Sequence, residues 1–156
     1  MLFRSVILSN KEGQKRIRQM ESLIFKPASI GEITYKAFGV PTVDLHQRLY
    51  SVIENKVIYT DQKVNSEKTF SDYLGKKYKD IVTPQPFRQR FTKQNKSKNG
   101  GWVPAKNKPL PFVIRNEIDH PDTYLEDDTG INKFNDNLLK KSIDELFKIY
   151  NKEFPE

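Results

Sequence analysis

The chain has 156 residues, enough for one compact domain with a hydrophobic core and too few for two domains of typical size, so we expect a single domain over 1–156. It contains no cysteine, which excludes disulfides, thiolate metal sites and cysteine nucleophiles. The first residues do not resemble a signal peptide and no apolar run could span a bilayer, so we expect a soluble, cytoplasmic protein without membrane contact.

The net charge of +7 is concentrated in one segment, residues 84–108, which holds seven cations and no acid. These seven charges equal the whole excess, so the rest of the chain sums to zero. Such a segment favours a polyanionic partner. Its cations are Arg88, Arg90, Lys93, Lys96, Lys98, Lys106 and Lys108.

The first half of the chain carries mainly helical patterns. Residues 12–25 place apolar side chains near a helical spacing, which predicts a first helix. Ser29 and Glu32 have the spacing of a capping box, and the helix they open should end at Gly39. A further helix should begin at Thr42 and bury one apolar stripe. That stripe consists of Leu45, Leu49, Val52 and Ile53.

The second half continues this pattern, with one interruption. Residues 57–60 could form a short strand, and 67–81 should form a helix. The basic segment 84–108 is rich in Pro, Gly, Asn and Lys, which predicts a long loop. The last helix should cover about 136–153. Together with a short helix before Pro121, these elements predict an all-α bundle of five or six helices.

The stretch FVIRNEIDHP at 112–121 carries the candidate catalytic residues on that short helix. Pro111 suits the first turn, and Pro121 disfavours a helical conformation at the residue before it. At about 100° per residue, four polar side chains fall within an arc of roughly 140°. They are Arg115, Asn116, Asp119 and His120.

The pairing of a guanidinium with an imidazole suits phosphodiester cleavage. A histidine at a helix C-terminus can exchange protons near neutral pH, while an arginine can bind the charge that develops on phosphorus. The spacing from Arg115 to His120 also arises by chance. The alternative is therefore an exposed Arg115–Asp119 pair with a helix-terminal histidine.

The string VIRNEIDHP resembles the motif of the HEPN superfamily, in which an arginine is followed by four to six residues and a histidine. Arg115, Asn116 and His120 match its places, with the residue after the arginine polar. The resemblance implies a helical bundle, metal-independent endoribonuclease activity without a cofactor, and a homodimer whose motifs share one cleft. Because such domains recur in toxin–antitoxin and antiviral-defence systems, it also implies an antitoxin or ATPase partner.

The resemblance also implies a role for each motif residue. His120 would act as general base or acid while an RNA 2′-hydroxyl attacks the adjacent phosphate, and Arg115 would stabilise the pentavalent phosphorus. Asn116 would orient the site, and Asp119 would hold Arg115 or His120. One branch of the family carries a tyrosine two residues after the histidine, where this chain has Asp122.

Aromatic residues interleave with the cations of the basic segment: Phe87, Phe91 and Trp102. Cations neutralise phosphates and aromatic faces stack on unpaired bases, so we expect RNA to bind here. The predicted RNA-binding residues are Arg88, Arg90, Lys93, Lys96, Lys98 and Trp102. The alternative is a solvated loop whose aromatic side chains pack into the core.

His46, the second histidine, lies beside the core stripe and is expected to be a packing or surface residue rather than a catalytic one. Two other functions use the same features. The first is a non-catalytic HEPN-like module that binds RNA, a nucleotide or a partner ATPase. The second is a small adaptor whose basic segment binds DNA.

Overall fold

A computed structural model describes residues 6–11, 14–19, 24–25, 27–61, 64–87, 106–119 and 135–155. Across these ranges the chain is mainly helical, which confirms the predicted all-α class. The five helices are α1 (Ile30–Phe38), α2 (Val43–Thr60), α3 (Glu67–Lys77), α4 (Leu110–Asp119) and α5 (Asp136–Glu153). The strands are β1 (Val6–Lys11), β2 (Gln14–Gln19), β3 (Pro84–Phe87) and β4 (Lys106–Pro109).

The core lies between α2, α4 and α5, each of which contacts the other two, and α3 packs against α2 and β4. The predicted stripe on α2 faces this core, with Leu45, Leu49 and Ile53 inaccessible to solvent. On α5, Ile143 and Leu146 are likewise inaccessible to solvent. Both helices therefore form because their apolar side chains recur at a helical period and can be buried together.

Helix α1 begins and ends where its capping residues predict. The Ser29 hydroxyl accepts a hydrogen bond from the Glu32 backbone N–H, at 3.1 Å, and Gly39 ends the helix in the left-handed conformation with φ 70°. The Glu32 carboxylate, however, accepts hydrogen bonds from the backbone N–H groups of Ile24 and Phe25. It thus fixes the preceding segment to the helix.

The polarity of α1 is inverted relative to an ordinary surface helix. Its inner face carries the buried side chains of Glu32 and Tyr35, and the Tyr35 hydroxyl donates to the Asp144 carboxylate of α5. Its outer face carries Ile30 and Phe38, whose exposed fractions are 84% and 73%. Polar contacts rather than apolar burial therefore attach much of α1 to the bundle.

Two local predictions from the sequence are wrong. Within 12–25, residues 14–19 form strand β2, antiparallel to β1, with Ile17 opposite Leu8. The β-branched residues at the start of β1 and the two-residue spacing between the strands favour a hairpin over a helix. Residues 57–60 are the last turn of α2 rather than a strand, and Val57 is buried with the core.

The predicted loop 84–108 begins and ends in strand, since β3 and β4 pair in an antiparallel hairpin. Thr83 anchors this hairpin. Its backbone N–H and hydroxyl both donate to one oxygen of Glu145 on α5, at 3.0 and 2.6 Å. Its carbonyl accepts from the N–H of Leu110, the first residue of α4, at 2.8 Å. One residue therefore ties the hairpin, α4 and α5 together.

Within the described ranges, no helix combines the length and the apolar character needed to cross a membrane. Even α2 and α5, each 18 residues long, carry charged side chains along their outer faces.

Candidate functional site

Helix α4 is buried on most of its circumference, which restricts what it can present to a ligand. Its first five residues, Leu110 to Ile114, are all buried, and Glu117 is also buried. Arg115, Ile118 and Asp119 are the residues of α4 that remain partly exposed. A guanidinium and a carboxylate therefore form the accessible polar edge of this helix.

Arg115 and Asp119 form an ion pair one turn apart on that edge, with side-chain exposed fractions of 24% and 30%. The amide of Gln47 on α2 donates to the Asp119 carboxylate at 3.3 Å. The Arg115 guanidinium carbon lies 5.9 Å from the ring centre of Tyr50, a cation–π distance. The position of Arg115 is thus set from both α4 and α2.

A groove of about 330 Å³ lies in front of Arg115. Its other wall is the polar face of α2, whose residues recur at helical spacing. The lining residues are Asp44, Gln47, Arg48, Ser51 and Arg115. Since this volume is at the lower end of the range for ligand sites, the groove is large enough for a phosphodiester group and part of a nucleoside.

The charges around the guanidinium are mixed. Burial raises the pKa of the Glu54 carboxyl, the nearby charge of Glu67 raises it further, and the positive charge of Arg115 opposes both effects. Asp44 adds another carboxylate on the groove wall. A phosphate that enters the groove must therefore compete with Asp119 and overcome repulsion from these acids.

Asn116, a predicted supporting residue, is oriented towards α3 rather than into the groove. It is 5% exposed, and its side-chain amide donates to the Glu67 carboxylate at 3.0 Å. This hydrogen bond joins α4 to the first turn of α3. The structure therefore brings Arg115 and Asp119 together and places Asn116 behind them as a structural contact.

His46 is fully buried between α2 and α5, and its Nε2 atom lies 2.8 Å from the Ser142 hydroxyl. This confirms the expectation of a packing histidine. Burial lowers the pKa of His46 to about 3, and the positive charge of Arg115 adds to the shift. The imidazole is therefore neutral at physiological pH and has no access to the groove that would allow proton transfer to a substrate.

The remaining predicted site residues lie outside the described ranges. His120 directly follows Asp119, the last residue of α4, in the sequence. The predicted RNA-binding set lies there too: Arg88, Arg90, Lys93, Lys96, Lys98 and Trp102. Phe87, at the start of the basic segment, is described and packs edge-on against Phe112 of α4.

The α2 wall of the groove is not among the site residues predicted from the sequence. Asp44, Gln47, Arg48 and Ser51 occupy the i, i+3, i+4, i+7 positions opposite the buried stripe of α2. Their common face could have been predicted from the sequence, but its proximity to Arg115 could not. Among the described residues, no group of three or more His, Asp or Glu side chains is arranged to hold a metal ion.

In chemical terms, the site can offer the guanidinium groups of Arg115 and Arg48 to an anion, and the Asp119 carboxylate with the Gln47 amide holds Arg115 in place. The imidazole of His46 is enclosed, so within the ranges described the accessible proton-transfer groups of α2 and α4 at this site are the carboxyl groups of Asp44 and Asp119. Comparisons with protein-family models, with curated proteins and with solved structures find no match to this chain.

Proposed function

We propose that this chain is a HEPN-like, metal-independent endoribonuclease that acts as a toxin or antiviral-defence effector. The observation that supports this most is the position of Arg115, partly exposed on a groove of about 330 Å³ at the C-terminal half of α4. His120 follows that helix directly in the sequence. A cation for the phosphate and a titratable imidazole are thus encoded within one and a half helical turns.

In the proposed reaction, the imidazole of His120 removes the proton from an RNA 2′-hydroxyl, and that oxygen attacks the adjacent phosphorus. The Arg115 guanidinium donates hydrogen bonds to the non-bridging oxygens, whose negative charge grows in the transition state. The bond to the 5′-oxygen then breaks, and this oxygen takes a proton from an acid. The products are a 2′,3′-cyclic phosphate and a 5′-hydroxyl end.

The reaction needs both a base and an acid, and one copy of the motif supplies a single histidine, His120. A twofold homodimer would bring two copies of His120 to one cleft, so we include this assembly in the proposal. Arg115 and Asp119 lie on the exposed edge of α4, where a second copy can approach. Light scattering that shows only fully active monomers would contradict the shared cleft.

The ion pair between Arg115 and Asp119 yields a test that is specific to this site. Asp119→Asn keeps the size of the side chain but removes the charge that competes with phosphate. We therefore expect it to tighten RNA binding severalfold, because the free guanidinium then pairs with phosphate alone. Fluorescence anisotropy measures this effect, and Asp80→Asn, which removes an exposed carboxylate outside the groove lining, is the matched control. Weaker binding by Asp119→Asn would show that Asp119 positions Arg115 instead.

A second candidate function is a non-catalytic module that binds RNA, a nucleotide or a partner ATPase. The closed ion pair and the neighbouring carboxylates of Asp44, Glu54 and Glu67 favour it, because a neutralised guanidinium is a weak stabiliser of a phosphorane. The two candidates differ in their products, since only the ribonuclease changes its ligand.

The deciding experiment incubates the purified chain with labelled single-stranded RNA in EDTA and identifies the ends that form. We expect cyclic-phosphate and 5′-hydroxyl ends from RNA and no cleavage of the same sequence made of 2′-deoxynucleotides. Substitution His120→Ala should remove the activity. Saturable binding without cleavage, unchanged by His120→Ala, would favour the binding module.

A further inference from the structure

The β3–β4 hairpin gathers basic and aromatic side chains on one face. Its register places Gln85 opposite Lys108 and Phe87 opposite Lys106. Residues directly opposite each other share a face of the hairpin, as do residues two apart along one strand. All four side chains therefore lie on the same side, whereas Pro86 and Asn107 lie on the other.

This face of the hairpin borders α3 and α4. The Lys108 ammonium lies 2.7 Å from the Asp72 carboxylate on α3 and 5.7 Å from the ring centre of Phe112 on α4. The ring of Phe87, which is partly exposed, meets Phe112 edge-on, with centres 5.2 Å apart. These contacts fix the hairpin against the body and give Lys108 a defined position.

Helix α3 adds two more cations beside the hairpin. Lys68, Asp72 and Lys76 follow each other at intervals of four residues, so they form one exposed stripe about 12 Å long. The hydrogen bond from Lys108 lowers the pKa of the Asp72 carboxyl, and the charges of Lys76 and Lys68 lower it further. Three lysines thus surround one carboxylate.

The charge balance of this surface is strongly positive. Asp72 can neutralise one of its cations, and neither Lys68 nor Lys76 forms a salt bridge with another residue in the described ranges. The four lysines and one aspartate leave an excess of three positive charges. We call this surface the lysine face: Lys68, Asp72, Lys76, Lys106 and Lys108, with Phe87 at its edge.

We propose that the lysine face binds the phosphate backbone of a single-stranded nucleic acid, with the exposed part of the Phe87 ring stacking on a base. Lysines supply non-directional charge for phosphates, and an aromatic ring among them is the combination that holds unpaired strands. That the strand is RNA rests on the proposed ribonuclease function. The binding of a single-stranded nucleic acid by the lysine face does not depend on that function. This surface lies apart from the groove at Arg115, whose walls are α2 and α4.

The lysine face is tested on the full chain with a labelled single-stranded 2′-O-methyl RNA, which lacks the attacking hydroxyl and cannot be cleaved. Lys68→Gln with Lys76→Gln should weaken binding roughly tenfold or more at 0.1 M salt and lower the salt slope by about 1.4, about 0.7 for each lost contact. The matched control is Lys148→Gln with Lys152→Gln, which removes two exposed lysines from α5 instead.

Asp72→Asn tests the same surface in the opposite direction. It removes the one negative charge and releases Lys108, so binding should tighten and its salt slope should steepen. Asp72 and Lys108 are partly exposed, with exposed fractions of 48% and 20%, so little stability depends on their pair.

The possible results separate the two proposals. Failure of the parent chain to bind the oligonucleotide, or equal losses in the α3 and α5 double variants, would overturn the lysine face. The predicted binding pattern without cleavage of unmodified RNA would instead overturn the ribonuclease and leave the lysine face intact.

Discussion

The buried imidazole of His46 predicts how the free energy of unfolding depends on pH. The folded pKa of about 3 lies below the ordinary value of 6.5, so the unfolded chain takes up the proton first as the pH falls. Stability is therefore complete above pH 6.5 and is lost progressively between pH 6.5 and 3. At pH 5 the loss is about 2 kcal/mol, which is RT times the natural logarithm of 1 + 10^1.5.

This magnitude does not depend on how low the folded pKa lies, provided that it stays below about 4. Urea unfolding followed by far-ultraviolet circular dichroism at pH 7.5 and 5 measures it. His46→Gln retains a hydrogen-bonding side chain next to Ser142 but cannot titrate. Between pH 7.5 and 5, its free energy of unfolding should therefore fall by about 2 kcal/mol less than that of the parent. The carboxyl groups contribute equally to both proteins and cancel in the difference.

The control for this measurement is His120→Ala, since His46 and His120 are the two histidines of the chain. If this variant keeps the parent's pH dependence, the loss of stability at pH 5 belongs to His46. Equal pH dependence in the parent and in His46→Gln would refute the conclusion that a neutral imidazole is enclosed between α2 and α5.

Two further predictions concern the basic segment and the packing of α1. Reversing three cations of the basic segment to glutamate should weaken RNA binding and lower the salt slope by about 2 in anisotropy titrations; an unchanged slope would contradict a role in binding. These three are Arg88, Arg90 and Lys93. Gly31→Ala should cost about 1–3 kcal/mol of unfolding free energy, because its Cβ would lie 2.5 Å from the Thr42 hydroxyl that caps α2. Gly75→Ala, whose Cβ would meet Pro109 at an ordinary 3.6 Å, should be neutral or stabilising, and equal losses at both glycines would contradict this packing.

The long helices could be predicted from the sequence because their information is local. The stripe of α2 and the apolar positions of α5 repeat over five turns, and Thr42 and Asn135 cap the first turns with their side chains. Such patterns identify the buried face of a helix without information about the element that packs against it. The predicted limits of α5, 136–153, match its observed limits for the same reason.

The hairpins and the surroundings of Arg115 depend on contacts between distant parts of the chain. β3 and β4 pair across residues 88–105, and no local periodicity specifies that pairing. Asn116 lies on the predicted polar arc of α4, yet its partner is Glu67, 49 positions earlier in the sequence. A helical wheel gives the direction of a side chain but not the element that it meets.

The ribonuclease proposal is tested most directly by single-turnover cleavage of RNA in EDTA, with the dissociation constant measured in parallel. His120→Ala should bind RNA nearly as tightly as the parent and cleave it slower by roughly two to four orders of magnitude, the scale of general acid–base catalysis. Arg115→Ala should weaken both binding and cleavage, because a guanidinium also contacts the ground-state phosphate. If His120→Ala cleaves as fast as the parent, or if the parent cleaves no RNA, the proposed mechanism is contradicted.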